Sequence, residues 1–64
     1  MTRKEADTLK KGMMVVKLNT IPQCRGRQYE FIGWNDEEHN EAIIQSVEGY
    51  RWPWSYRRLA LANK

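Results

Sequence analysis

The sequence predicts an all-β fold of five short antiparallel strands around one small core, and three observations predict it. Apolar and aromatic residues recur at every second position in short runs, the period of a half-buried strand. Clusters of Asn, Asp, Gly and Pro separate these runs. At 64 residues the chain has room for a single domain, and no repeat, low-complexity tract or linker divides it. Residues 1–11 read as an amino-terminal arm and residues 12–62 as the β domain.

The elements follow in order. Thr2 and Glu5 have capping-box spacing and Gly12 can close the far end, which fits a short helical turn over residues 3–10. A frayed arm fits equally, because only Ala6 and Leu9 could pack and so short a helix is marginal alone. Met13 to Leu18 reads as the first strand, with Met14, Val16 and Leu18 sharing one face. Asn19 to Arg27 has no period and reads as a long loop. Gln28 to Trp34 is the second strand, in which Gly33 marks a bulge. An acid-rich turn over Asn35 to Asn40 leads to a third strand, Glu41 to Val47, and Glu48-Gly49 makes a tight hairpin into Tyr50-Arg51-Trp52. Pro53 has no N–H to donate and is expected to end ladder pairing on strand four. Ser55 to Arg58 fits one turn of 3₁₀ helix and Leu59 to Ala62 a closing strand. The competing reading is a carboxy-terminal helix from Ser55; the strand is preferred because it covers an edge. The expected core is Val16, Leu18, Phe31, Ile44, Trp52, Leu59 and Leu61.

Five strands with a long first loop, a polar second loop, a tight distal hairpin and a 3₁₀ turn before the last strand resemble the SH3-like antiparallel barrel. Gly49-Tyr50 and Pro53-Trp54-Ser55-Tyr56 resemble the Gly-Tyr and Pro-x-x-Tyr elements of SH3 domains, where the proline and tyrosine help line a peptide groove. Phe31-Ile32-Gly33-Trp34 and a proline before the final strand are similar to type II dihydrofolate reductases, another SH3-like family. Their Val-Gln-Ile-Tyr motif is here Tyr50-Arg51-Trp52, so that resemblance implies the barrel and not the active site. Lys10-Lys11-Gly12 leading into the first strand is similar to KOW and Tudor-type barrels, which implies binding to nucleic acid or to modified tails.

Composition excludes several classes. A chain this short buries only about 60% of its unfolded surface, which argues against an enzyme with a deep cavity. Cys24 has no partner for an internal disulfide, and one histidine, His39, does not supply a structural zinc site. The Asp36-Glu37-Glu38-His39 run lacks the helical spacing that aims two ligands at one metal, so neither metal nor cofactor is expected. No aliphatic run is longer than Met13 to Val16, far below the roughly 20 residues of a membrane span, and no apolar segment follows the charged start; a cytoplasmic protein is expected.

The net charge of +3 divides into blocks of +5 over residues 1–27, −6 over 28–49 and +4 over 50–64. Such blocks suit an anionic partner on one side of a folded surface, or else the acidic block is a solvated loop that offsets the rest. Tyr50, Trp52, Trp54 and Tyr56 stand at every second position, with Arg51, Arg57 and Arg58 among them. One extended face of four rings is more than so small a core needs, and it fits a stacking surface for single-stranded nucleic acid. The plainer reading puts Trp52 and Tyr50 in the core and Tyr56 on the 3₁₀ turn. Because Pro53 interrupts the alternation, Trp54 is expected to be the exposed indole.

The candidate contact residues are Lys10, Lys11, Arg25, Arg27, Arg51, Trp54, Arg57 and Arg58, with Lys17 adding to the basic arm and first loop. Cys24 lies beside Arg25 and Arg27, neighbours that lower a thiol pKa, but no third group completes a catalytic set. The expected function is a non-enzymatic module that binds nucleic acid. Its rival is a protein-interaction module, a small regulator or inhibitor of the kind bacteria, plasmids and phages carry, gripping its partner with the aromatic strip and acidic loop. An oligomeric barrel with an active site on its symmetry axis comes third.

Overall fold

A computed structural model describes residues 1–18, 22 and 26–62 of the chain. A short helix, α1 (Arg3–Ala6), precedes five strands: β1 (Met14–Lys17), β2 (Gln28–Trp34), β3 (Glu41–Gln45), β4 (Arg51–Ser55) and β5 (Leu59–Leu61), with a 3₁₀ turn, Tyr56–Arg58, before the last. The strands form one sheet in the order β4-β3-β2-β1-β5, with every neighbouring pair antiparallel. The carboxy-terminal segment is thus a strand, paired to β1 through Val15↔Leu61 and Lys17↔Leu59. No pairing joins the edge strands β4 and β5 among the described residues, so the ladder is an open sheet rather than a closed barrel. Among those residues no helix is long and apolar enough to cross a membrane.

The capping box at Thr2 and Glu5 is formed, but α1 is only four residues long. It stops at Ala6, and Gly12 serves instead a separate turn closed by the Met13 N–H to the Lys10 carbonyl at 3.0 Å. A helix this short holds only through tertiary contact. Ala6 and Leu9 supply it, being 0% and 8% exposed. Arg3 clips the segment to the β2–β3 turn by donating to the His39 carbonyl at 2.7 Å and to Asn40 Oδ1 at 2.9 Å.

The inner face of the sheet is set by register. Ile44 stands opposite Phe31 on one side and Trp52 on the other, Ala42 opposite Trp54, and Val15 opposite Tyr29. Val15, Ala42, Ile44 and Leu59 are completely buried, Phe31 and Tyr29 nearly so, and Trp34, Trp52, Trp54 and Leu61 pack against them. Full burial of one such aliphatic side chain contributes about 1.5–3 kcal/mol. The bulge at Gly33 is present as a register shift between Phe31 and Gly33.

Three features of the strands correct the expectations from sequence. In β1 the inward residue is Val15, while Val16 is only partly buried and Leu18 is 38% exposed. A one-residue shift of this kind exchanges the two faces of a strand. Both faces of Met13 to Leu18 are apolar enough to pack, and the one carrying Lys17 goes inside because a lysine stem can lie on apolar surface while its ammonium reaches the rim. In β4, Pro53 does not end the ladder: pairing runs on through Ala42↔Trp54 to Glu41↔Ser55. As an edge strand β4 can direct the position without an N–H away from its partner. The third strand stops at Gln45, two residues short of Val47, and the hairpin turns through Gly49 at φ 97°, a conformation that glycine adopts without steric cost.

Candidate binding site

The four alternating aromatics do not make one open face. Trp52 and Trp54 share the inner side of β4, half-buried opposite Ile44 and Ala42. Tyr56 has left the strand for the 3₁₀ turn and is 6% exposed, whereas Tyr50 lies just before β4 and is 71% exposed. Trp54 is therefore not the free indole expected from its place after Pro53; its Nε1 is buried and has no hydrogen-bond partner among the described residues. The inner face of the sheet is where large rings remove the most apolar surface from water, and β4 places both indoles there.

The space in front of these indoles is taken by Lys17. Its ammonium lies 4.2 Å from the ring centre of Trp54, 4.6 Å from Trp52 and 4.9 Å from Tyr29. Tyr29 and Trp52 meet edge to face at 5.6 Å, so three rings on β2 and β4 hold one cation from β1. A positive charge over a ring face is attracted by its quadrupole, by about 0.5–2 kcal/mol per good contact as water is excluded. Lys17 makes no ion pair among the described residues. The sequence pattern groups Lys17 with the basic arm and first loop as a candidate phosphate contact and leaves Tyr29 out of the site. The only signal was that Lys17 is two residues from Val15, and hence on the same face of the strand.

A second group surrounds Tyr56. The guanidinium carbon of Arg3 lies 4.5 Å above its ring and that of Arg57 5.7 Å away, while Arg57 Nε donates to the phenolic oxygen at 3.4 Å. The hydrogen bond from Arg57 holds the Tyr56 phenol below its ordinary pKa, with the charges of Arg3 and Arg57 assisting, and the same bond raises that of Arg57. Asn40, Ser55, Tyr56 and Arg57 line a depression of about 200 Å³ here.

At the hairpin end, Arg27, Gln28, Tyr29, Ser46, Val47 and Glu48 line a larger hollow of about 280 Å³. Val47 beside it is 88% exposed. Tyr29 belongs both to this hollow and to the ring cluster around Lys17.

The other candidates are spread over the surface. Lys10 and Lys11 are exposed in the turn before β1, Arg27 just before β2, Arg51 at the start of β4, and Arg57 and Arg58 on the 3₁₀ turn. Arg51 donates to the Gln45 side chain across the β3–β4 pair. Arg25 and Cys24 lie outside the described residues.

The acidic turn is built by Asp36. Its Oδ1 accepts from the N–H of Asn40 at 2.9 Å and of Glu41 at 3.0 Å. The Glu41 N–H bond does most to hold the Asp36 carboxyl below its ordinary pKa, and Asn40 adds to it. His39 sits in this turn at φ 59° with its ring stacked on Trp34 at 4.8 Å. Glu37 and Glu38 are exposed. Among the described residues no three His, Cys, Asp or Glu side chains come together as metal ligands. No protein-family model, curated protein or solved structure matches the chain.

Proposed function

We propose that the chain is a non-enzymatic binding module of the SH3-like type that engages single-stranded nucleic acid, chiefly through its phosphates. The strand order β4-β3-β2-β1-β5 and the 3₁₀ turn between β4 and β5 support the SH3-like part of this reading. Fold alone does not choose a partner. The observation that carries the partner is the state of the cations. Lys10, Lys11, Arg27, Arg51, Arg57 and Arg58 are exposed, and none is ion-paired among the described residues. Unpaired surface charge of this kind is what phosphate contacts use, and each such contact on a single strand contributes about 0.7 to the slope of log affinity against log salt.

A protein partner is the second reading, favoured by Val47 and Tyr50, both largely exposed on the β3–β4 hairpin, where Val47 also lines the 280 Å³ hollow. Titrating a labelled single strand over a range of salt separates the two. Steep loss of affinity with salt, made shallower by Lys10→Gln and Lys11→Gln, supports nucleic acid. Absence of binding at low salt leaves the protein partner.

A further inference from the structure

We propose that Tyr29, Trp52, Trp54 and Lys17 form one stacking-and-phosphate subsite, in which an unpaired base takes the place of Lys17 on the rings while its phosphate takes the Lys17 ammonium. This rests on the nucleic-acid reading above and gives it a specific seat. Lys17 lies against three ring faces at 4.2–4.9 Å, yet an ammonium is three donors without an acceptor, and no carboxylate pairs with it among the described residues. Trp54 Nε1 in the same cluster also has no acceptor there. Two donors without acceptors therefore meet on one set of rings.

A nucleotide supplies what the ammonium lacks. Its phosphate accepts charge-assisted hydrogen bonds from an ammonium, and its base stacks on the ring face that the cation leaves. Lys17, Trp52 and Trp54 are each only partly buried, so the cluster opens to solvent at its rim. β1 and β4 are not neighbours in the sheet. The exchange needs rotation of one flexible side chain and breaks no ladder hydrogen bond. Tyr29 also lines the hairpin hollow together with the exposed Arg27.

The test is a salt-dependent titration of the chain with a short oligothymidylate, read in parallel by the indole N–H signals in NMR. The expected result is that the Trp52 and Trp54 signals move more than that of Trp34, and that Lys17→Met lowers the salt slope by about 0.7 while leaving a salt-independent remainder. An unchanged slope for Lys17→Met, or silent Trp52 and Trp54 signals in a formed complex, overturns the subsite and leaves the nucleic-acid reading standing. Shifts produced by tetramethylammonium but not by the strand overturn it in favour of an external cation. If the unaltered chain binds no strand at low salt, the nucleic-acid reading fails and the subsite with it.

Discussion

Lys17 on β1 places its ammonium 4.2 Å from the ring centre of Trp54 on β4, joining two strands that the sheet keeps three positions apart. This cation–π contact, repeated at Trp52 and Tyr29, spans the inner side of an otherwise open sheet. A basic side chain on a core-facing position thereby becomes part of the packing.

The contact has a measurable share in stability. Lys17→Ala is expected to lower the unfolding free energy by about 1–2 kcal/mol, with Lys17→Met recovering part of it because the apolar stem still covers the rings. Urea unfolding followed by tryptophan emission checks this. Unfolding midpoints equal to that of the parent for both variants would show that the rings stand without the cation.

The face assignment of β1 predicts a contrast between adjacent valines. Val15 is fully buried and Val16 is not. Val15→Ala should cost about 2 kcal/mol, and Val16→Ala well under half of that, because the same methyl groups are buried at the first position and partly in water at the second. Ile44→Ala, at the centre of the sheet, should cost about 2–5 kcal/mol, a large fraction of a small domain's stability. Equal losses at Val15 and Val16 would contradict the register.

Much of the strand pattern was legible in the sequence, and the reasons are local. Turn residues bracket each run, Gly33 marks the bulge, and Ser55 caps the 3₁₀ turn by accepting from the Arg57 N–H. The inward face of β1 was not legible, because Met14/Val16/Leu18 and Met13/Val15/Lys17 are both apolar and only long-range packing decides between them. The same limit hid the site. Tyr29 and Lys17 are 12 positions apart and Trp54 is 25 beyond Tyr29, so their meeting depends on a sheet that no local pattern specifies. The half-buried place of Trp54 is not legible from the run itself, because an edge strand tolerates Pro53 and keeps the alternation through it.

The acidic turn should loosen in acid. The Asp36 carboxyl is held below its ordinary pKa, so its contribution is present above its unfolded value and is lost as pH falls through its lower folded one. Below about pH 4, amide exchange at Asn40 and Glu41 should rise ahead of the sheet, and Asp36→Asn should remove that dependence. Glu37→Gln with Glu38→Gln, both exposed, should leave the melting temperature nearly unchanged. Protection of Asn40 and Glu41 that stays constant through this range would rule out the Asp36 carboxylate as the organiser of the turn.

The Tyr56 phenol gives an independent check on the arginine pair. Arg57→Gln removes the hydrogen bond that chiefly lowers its pKa and should move its ionisation up towards the ordinary tyrosine range; Arg3→Gln should act in the same direction but less. Spectrophotometric titration of the phenols reads both. No upward movement in Arg57→Gln would mean that the guanidinium does not engage the phenol in solution.

The salt dependence of single-strand binding by Arg57→Gln and Arg58→Gln tests whether the exposed cations of the domain contact phosphates. The expected result is an affinity for a short oligothymidylate that falls steeply with salt in the unaltered chain, and a slope about 0.7 shallower for each substitution. Binding that is absent at the lowest salt, or equally steep after both substitutions, would contradict it.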